Sequence, residues 1–204
     1  MLRIPRCGAA RGAARLVVLN NYKKIKQEQW CMIKKRIRQA LIILVFVWMA
    51  VIFGLSSRPA SLSSKDSYRV GKLFSELFVP GFKQWPAKDQ DRYIRSIDRP
   101  IRKTAHACEY AILAMLTSGV FLVQSLLSGD KVKKLVPNLL HGVAVSALFA
   151  CTDEFHQRFV QGRAGSLIDV CIDTAGALVG VIILGVVLHV CRRLAAAMKK
   201  RRQC

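Results

Sequence analysis

The hydrophobic residues of this chain are gathered into four long runs, and polar segments rich in Lys and Arg separate these runs. The runs cover residues 40–55, 111–127, 136–152 and about 167–191, and the first contains no charged residue. A helix needs roughly 20 apolar residues to cross the hydrocarbon core of a bilayer, so each run with its flanks predicts one transmembrane helix. The pattern therefore predicts an all-α polytopic membrane protein with four transmembrane helices in a bundle.

The long segment between the first two runs, residues 56–104, contains one further helical pattern. Residues 66–78 carry apolar side chains at helical spacing, namely Val70, Leu73, Phe74, Leu77 and Phe78. An apolar stripe on an otherwise polar segment is typical of an amphipathic helix that lies on a membrane surface. We therefore predict a short amphipathic helix in this loop. Prolines and a glycine between residues 80 and 86 then interrupt the chain, and a polar approach to the second membrane helix begins at Arg102.

Composition narrows the class of protein. Hydrophobic residues make up 52% of the 204 residues, yet the formal net charge is +21. The Lys and Arg residues flank the apolar runs, as in membrane proteins, and do not cluster on one module that would bind nucleic acid. The seven cysteines show no zinc or disulfide-framework spacing, and no P-loop or dinucleotide fingerprint is present, so we predict no metal and no cofactor. We expect a multi-pass protein of the cell membrane whose partner is the lipid bilayer.

The distribution of basic residues predicts the orientation of the chain in the membrane. Residues 1–38 carry eleven Lys and Arg against one acid, residues 128–135 carry three Lys, and the tail after Cys191 carries six basic residues and no acid. Basic residues favour the cytoplasmic side, so both termini are predicted to be cytoplasmic. The 56–104 loop also carries eleven Lys and Arg, against five acids, but long loops have less weight in this rule.

Three regions follow from this orientation. Residues 1–38 form a basic cytoplasmic N-terminal segment, residues 39–191 form the four-helix membrane domain, and residues 192–204 form a basic cytoplasmic tail. Residues 1–31 leave two interpretations open. They are either a cytoplasmic tail or the result of a start codon assigned too early, because Met32 begins a short basic stretch that leads directly into the first apolar run.

Polar residues are concentrated at the predicted outer ends of helices two, three and four. They are Lys103, His106, Glu109 and Tyr110, then Asp153, Glu154 and Gln157, then Arg163, Asp169 and Asp173. Charged side chains at membrane depth are costly, so they face the bundle interior and pair with one another. The sequence therefore predicts a polar pocket that opens to the outer face.

Two local patterns support the start and the packing of the fourth helix. Ser166 and Asp169 have the spacing of a capping box, with Ser166 as the N-cap and Asp169 at position N3. Gly176 and Gly180 have the small-xxx-small spacing that lets two membrane helices approach closely.

At these residues the sequence resembles the VanZ-like membrane protein family over roughly residues 40–190. The resemblance lies in Ser56-Ser57, in Lys103-x-x-His106-x-x-Glu109-Tyr110-x-x-Leu113, in Asp153-Glu154-x-x-Gln157, in Gly162-Arg163, in Ser166-Leu167-x-Asp169, and in Asp173-Thr174-x-Gly176 with Gly180. Asp173 departs from the family pattern, in which Asn is common, and adds an acid to the site. The resemblance implies a four-helix membrane protein and a link to resistance against glycopeptide antibiotics of the teicoplanin type, but it names no reaction.

The candidate residues fall into two groups by chemistry. His106, Asp153 and Glu154 are candidates for general acid–base work, because close titratable groups can hold different pKa values. Candidates for ligand binding are Lys103, Glu109, Tyr110, Gln157, Arg163, Asp169 and Asp173. The expected ligand is a lipid-linked or peptidoglycan-related headgroup, or an antibiotic. The sequence leaves open whether a reaction is catalysed and what the oligomeric state is.

Two other functions compete with a binding pocket. The same side chains can serve only as helix caps and ion pairs that lock a non-enzymatic membrane scaffold. A small proton-coupled transporter is the third candidate, and Asp173, the deepest acid, is its only specific support.

Overall fold

The protein consists of five α-helices. The computed structural model describes residues 7–128 and 135–201, with side chains from residue 19 onward. The helices are α1 (Cys7–Ser56), α2 (Ala60–Phe78), α3 (Ala87–Leu127), α4 (Leu135–Gln157) and α5 (Leu167–Arg201), and a short 3₁₀ turn (Phe82–Gln84) lies between α2 and α3. No strand occurs in these described ranges, and the predicted all-α class is confirmed.

Four of the helices, α1, α3, α4 and α5, are long and apolar enough to cross a membrane. Large apolar side chains cover their outward surfaces: Phe46, Leu148 and Ile182 are 62–70% exposed. In water such a surface would be an association hazard, whereas in a bilayer the lipid chains cover it. The predicted multi-pass membrane bundle is therefore confirmed, with one span in each of the four apolar runs.

Helix α3 is the centre of the bundle, because it packs against all four other helices. Its residues Tyr110, Leu113 and Ala114 are fully buried. Tyr110 and Leu113 belong to a core that includes Ile52 of α1, whereas Ala114 packs in a second core with Ala177 of α5. The inward-facing side chains at the polar end of α3 consequently lie against more than one neighbouring helix.

Glycines set the close approach between α3 and α5. A Cβ added at Gly176 would lie 2.7 Å from the Cα of Ala107, and one added at Gly180 would lie 2.8 Å from the Cα of Ala111. Carbon atoms pack optimally at about 3.5–4.0 Å, so only glycine fits at these two positions. The predicted small-xxx-small seam is confirmed, and its partner is the backbone of α3.

The segment before the second membrane span differs from the prediction. The amphipathic helix predicted over residues 66–78 is confirmed and begins earlier, at Ala60, whereas α3 begins at Ala87 and continues through Pro100. A proline usually kinks or ends a helix. Here Ile94 and Ile101 of α3 lie beside Gly71 of α2, so packing between the two helices stabilises the extra turns.

Candidate polar binding site

The polar end of the bundle, where α1 and α4 end and α5 begins, contains a cavity of about 330 Å³. This volume is within the usual range for small-molecule sites. Seven of the ten predicted site residues line this cavity: Lys103, His106, Glu154, Gln157, Arg163, Asp169 and Asp173. They come from α3, α4, the loop after α4 and α5, so four separate parts of the chain meet here.

The last turn of α4 forms one wall of the cavity. Asp153, Glu154 and Gln157 are all buried there. The Gln157 amide donates to Glu154 Oε1 at 3.0 Å and to Asp153 Oδ2 at 3.2 Å, and the Ser56 hydroxyl donates to the same Asp153 oxygen at 2.7 Å. One oxygen of the buried Asp153 carboxylate therefore accepts two hydrogen bonds, and Asp153 does not line the cavity, whereas Glu154 and Gln157 do.

The start of α5 is held by Glu154 as well as by its own cap. The Ser166 hydroxyl accepts the Ile168 backbone N–H at 3.2 Å, so Ser166 is the N-cap as predicted. The reciprocal half of the predicted capping box is wrong. Glu154 Oε2, not Asp169, accepts the Ser166 backbone N–H, at 2.8 Å. Asp169 is drawn away because its carboxylate pairs with Lys103 of α3.

Arg163 joins the loop after α4 to the end of α1. The loop turns at Gly162, whose φ of +73° is readily adopted only by glycine. The Arg163 guanidinium then donates to the carbonyl oxygens of Arg58 at 2.9 Å and Leu55 at 3.2 Å, and to Gln157 Oε1 at 3.3 Å. Carbonyl groups at a helix C-terminus favour a cation, so Arg163 caps α1.

The charge of Arg163 is held in a partly buried position. Burial lowers the pKa of the Arg163 guanidinium, and the positive charge of Arg102 lowers it further. An arginine nevertheless remains protonated at neutral pH. A guanidinium carries five N–H donors, and three of them are used by the contacts within the described ranges. The side chain is fixed in place and still presents positive charge to the cavity it lines.

The rim of the cavity is rich in cations from α3. Arg99, Arg102 and Lys103 all line it. Arg102 pairs with Asp98 at 3.0 Å one turn earlier on the same helix, and Lys103 pairs across the seam with Asp169. Both ion pairs are partly exposed, so each contributes little to stability by itself. The two ion pairs instead fix the positions of the cationic groups around the opening of the cavity.

His106, Glu109 and Tyr110 occupy successive depths below that rim. His106 Nδ1 lies 3.5 Å from Glu109 Oε2, which is longer than an ordinary hydrogen bond. Glu109 lines a smaller neighbouring cavity together with His106 and does not reach the main one. Tyr110 is fully buried below both, and the indole N–H of Trp48 fixes this turn by donating to the Glu109 carbonyl at 2.9 Å.

Several buried polar atoms around the two cavities have no hydrogen-bond partner within the described part of the chain. Four of them belong to residues that line a cavity, namely Arg102 Nε, His106 Nδ1, Glu109 Oε2 and Asp173 Oδ2, whereas Tyr110 and Asp153, which carry the other two (Oη and Oδ1), line neither. Buried polar groups are almost always hydrogen-bonded in folded proteins, so such a concentration points to a polar occupant. The same ranges contain no group of three His, Cys, Asp or Glu residues arranged to hold a metal ion.

Three polar lining residues, Ser63, Arg99 and Arg102, lie outside the predicted set of site residues, as do Gly162, Ala164 and Ile172. Ser63 lies one helical turn before Ser67, on the face of α2 that meets α3, and that four-residue spacing was the available signal. Arg99 and Arg102 share a face with Lys103 only if the helix already exists before residue 102. The sequence placed Arg102 at the entry of the second membrane helix, but because it did not predict the extension of α3 to Ala87, it did not predict Arg99.

The comparisons with known proteins give one match. The family model described as VanZ/LLP1 matches residues 41–188, which is more than half of the chain and includes every predicted site residue. No curated protein and no solved structure matches the chain.

Proposed function

Because the chain belongs to the VanZ/LLP1 family, we propose that this VanZ-like membrane protein binds the polar headgroup of a cell-envelope molecule, or an antibiotic, in its main cavity. Following the resemblance, the expected phenotype is resistance to antibiotics of the teicoplanin type. The observation that carries the proposal is that three residues lining one cavity, Arg102, His106 and Asp173, each have a buried polar atom without a partner in the described ranges. Four parts of the described chain contribute charged side chains to that cavity.

The arrangement of charge favours a ligand with two kinds of polar group. Cations from α3 stand at the rim, whereas the acids Glu154 and Asp173 lie deeper in the cavity. Arginine and lysine bind phosphate or carboxylate, and carboxylates accept hydrogen bonds from hydroxyl or amino groups. A headgroup with an anionic group and several hydrogen-bond donors satisfies both parts. Lipid-linked and peptidoglycan-related envelope molecules have this chemistry.

The cavity is proposed to open at the outer face of the membrane. The basic N-terminal part of α1 and the basic C-terminal part of α5 lie at the opposite ends of those helices from the cavity. Basic flanks favour the cytoplasmic side, and this supports an external position for the cavity, where envelope precursors and antibiotics are found.

His106 and Glu154 are the candidates for acid–base chemistry in this cavity, because both side chains line it. Asp153 does not line the cavity and accepts a hydrogen bond from Ser56. Glu154 is already engaged by the Ser166 N–H and the Gln157 amide, which fix the direction of its carboxylate. Such fixed groups can orient a ligand without catalysing its conversion. Binding is therefore the proposed activity, and a reaction is not required by it.

The proposal is tested by teicoplanin susceptibility of a sensitive bacterial host that expresses the full chain. Wild type is expected to raise the inhibitory concentration, Glu154→Ala and His106→Ala are expected to abolish that increase, and Glu76→Ala is the matched control. Glu76 lies on α2 and lines neither cavity. The amount of each variant in the membrane is measured by immunoblot.

Each alternative outcome has a distinct meaning. Full resistance in both Glu154→Ala and His106→Ala would refute the proposed binding site. Loss of resistance in strict proportion to a fall in membrane abundance would favour the scaffold function, in which the polar residues serve only to hold the bundle together.

A further inference from the structure

Helix α2 buries its small and polar side and exposes its apolar side, which is the reverse of a helix in a water-soluble protein. The residues that it buries against the bundle are Ser67, Gly71 and Ser75. Its large apolar side chains point away and are 49–68% exposed: Val70, Leu73, Phe74, Leu77 and Phe78. An apolar stripe of this kind is stable at the boundary between headgroups and acyl chains of a bilayer. The outward face of α2 is therefore a surface in contact with lipid.

A second cavity, of about 190 Å³, lies between this helix, the end of α1 and α3. Its apolar lining comes from Leu55, Val70, Ile101 and Ala105. Leu55 is 40% and Val70 is 54% exposed, so the lining is continuous with the lipid-facing surface. We call this cavity the α2 groove. It is open to the side from which a membrane lipid would approach.

The α2 groove and the main cavity share one wall. Ser63, Arg102, His106 and Arg163 line both. A groove with an apolar side that is continuous with the lipid-facing surface is thus joined, through two arginines, to the polar main cavity. A water-soluble ligand would gain nothing from the apolar side of the α2 groove. A molecule with a hydrocarbon chain and a charged headgroup would fill both the α2 groove and the main cavity.

The shared wall favours phosphate as the charged group. The guanidinium of an arginine is a planar fork that fits phosphate oxygens, and Arg102 and Arg163 both stand at the junction. Of the two acids that line the α2 groove, Asp66 pairs with Arg58 at 2.5 Å, whereas Glu109 Oε2 lies 3.5 Å from His106 Nδ1 and has no hydrogen-bond partner within the described ranges. In contrast, the charge of Arg163 meets only carbonyl and amide oxygens within the described ranges.

The geometry points to a phosphate-bearing lipid as the ligand, with its phosphate at the wall formed by Arg102 and Arg163 and the first part of one hydrocarbon chain in the α2 groove. This inference rests on the proposed headgroup site and names the class of molecule that occupies it. The remainder of the headgroup extends into the main cavity, toward Glu154 and Asp173. The ligand enters sideways from the bilayer, beneath α2.

Calorimetric titration of the full chain in detergent micelles tests the inference with three probes. Farnesyl monophosphate carries both chain and phosphate, farnesol carries only the chain, and inorganic phosphate carries only the charge. Farnesyl monophosphate is expected to bind at least about tenfold more tightly than either of the others, a difference of roughly 1.4 kcal/mol.

Two substitutions on the same helix separate the α2 groove from the rest of the surface. Val70→Trp fills the groove and is expected to weaken farnesyl monophosphate binding about tenfold, while the affinity for inorganic phosphate stays unchanged. Leu73→Trp is the matched control, because Leu73 is equally exposed on the apolar face and lines neither cavity. Ala105→Trp blocks the groove from α3, in case Val70→Trp disturbs the fold of α2.

The failure of this inference differs from the failure of the proposed function. If wild type binds inorganic phosphate as tightly as farnesyl monophosphate, or if neither groove variant weakens the lipid probe, the chain subsite is overturned and the headgroup site stands. If no phosphate probe binds, the phosphate-lipid assignment is overturned. The proposed function itself fails only if teicoplanin resistance survives in Glu154→Ala and His106→Ala.

Discussion

Substitution of the seam glycines by alanine provides a quantitative test of how α3 and α5 pack. A Cβ at Gly180 would lie 2.8 Å from the Cα and 2.9 Å from the carbonyl carbon of Ala111. Comfortable carbon contacts need about 3.5–4.0 Å, so the two backbones must separate by roughly 1 Å. The atoms in the way belong to a helix backbone and cannot move aside as a flexible side chain does. Overpacking of this kind typically costs about 1–3 kcal/mol.

The matched control is Gly54→Ala in α1, where an added Cβ meets no atom within 4 Å. Replacing Gly by Ala increases helix propensity by about 1 kcal/mol in both variants. Only Gly180→Ala also introduces a steric clash. The difference in unfolding free energy between the two is therefore expected to be about 1–3 kcal/mol, with Gly54→Ala the more stable. Reversible unfolding in mixed detergent micelles, followed by tryptophan fluorescence, measures that difference.

Equal stabilities of Gly54→Ala and Gly180→Ala would refute the close contact between α3 and α5. The consequence would extend to the site, because Lys103 and Asp169 lie on these two helices at the polar end of the same interface. A wider interface would separate their side chains and enlarge the cavity.

Two further substitutions test contacts within the site. Ser56→Ala removes a buried donor to the Asp153 carboxylate and is expected to cost about 1.5–3 kcal/mol of stability. Ser57→Ala, next to it, removes a partly exposed contact with His156 at 3.1 Å and should cost about 0.5–1 kcal/mol. Equal losses in thermal unfolding would contradict the buried bond. For Lys103 and Asp169, whose side chains are 28% and 29% exposed, a double-mutant cycle to alanine should give a coupling of about 0.5–1 kcal/mol. A coupling near zero would contradict a contribution of this ion pair to the stability of the bundle.

The elements that depend on local pattern were predictable from the sequence. Uninterrupted apolar runs are costly anywhere except in a membrane or a large core, so they identified the four spans. The seam at Gly176 and Gly180 and the cap at Ser166 also follow from residue type and spacing alone, because helical periodicity fixes which residues share a face.

The start of α3 was not predictable in the same way. Pro100 and the charged residues around it oppose a helix by local rules, and the helix persists because isoleucines of α3 pack beside Gly71 of α2. That contact joins parts of the chain far apart in sequence. A local pattern contains no information about it.

The hydrogen-bond partners of the site residues could not be predicted from the sequence either. It indicated that acids and cations would gather at one end, but not that Glu154 would bind the start of α5 or that Arg163 would cap α1. These choices depend on the rotation of each helix about its axis and on the path of the loop at Gly162. Changes of one or two ångströms decide them, and residue spacing cannot resolve such differences.

The accessibility of position 164 tests most directly the claim that a polar cavity opens at the external surface. Ala164 is exposed and lines the main cavity, whereas Ser128 is exposed at the opposite end of α3. Ala164→Cys and Ser128→Cys are made separately in a background without the seven native cysteines and treated with a membrane-impermeant maleimide in intact cells. Labelling of Ala164→Cys alone is the predicted result. Labelling of Ser128→Cys, with Ala164→Cys reacting only after the membrane is permeabilised, would contradict the account.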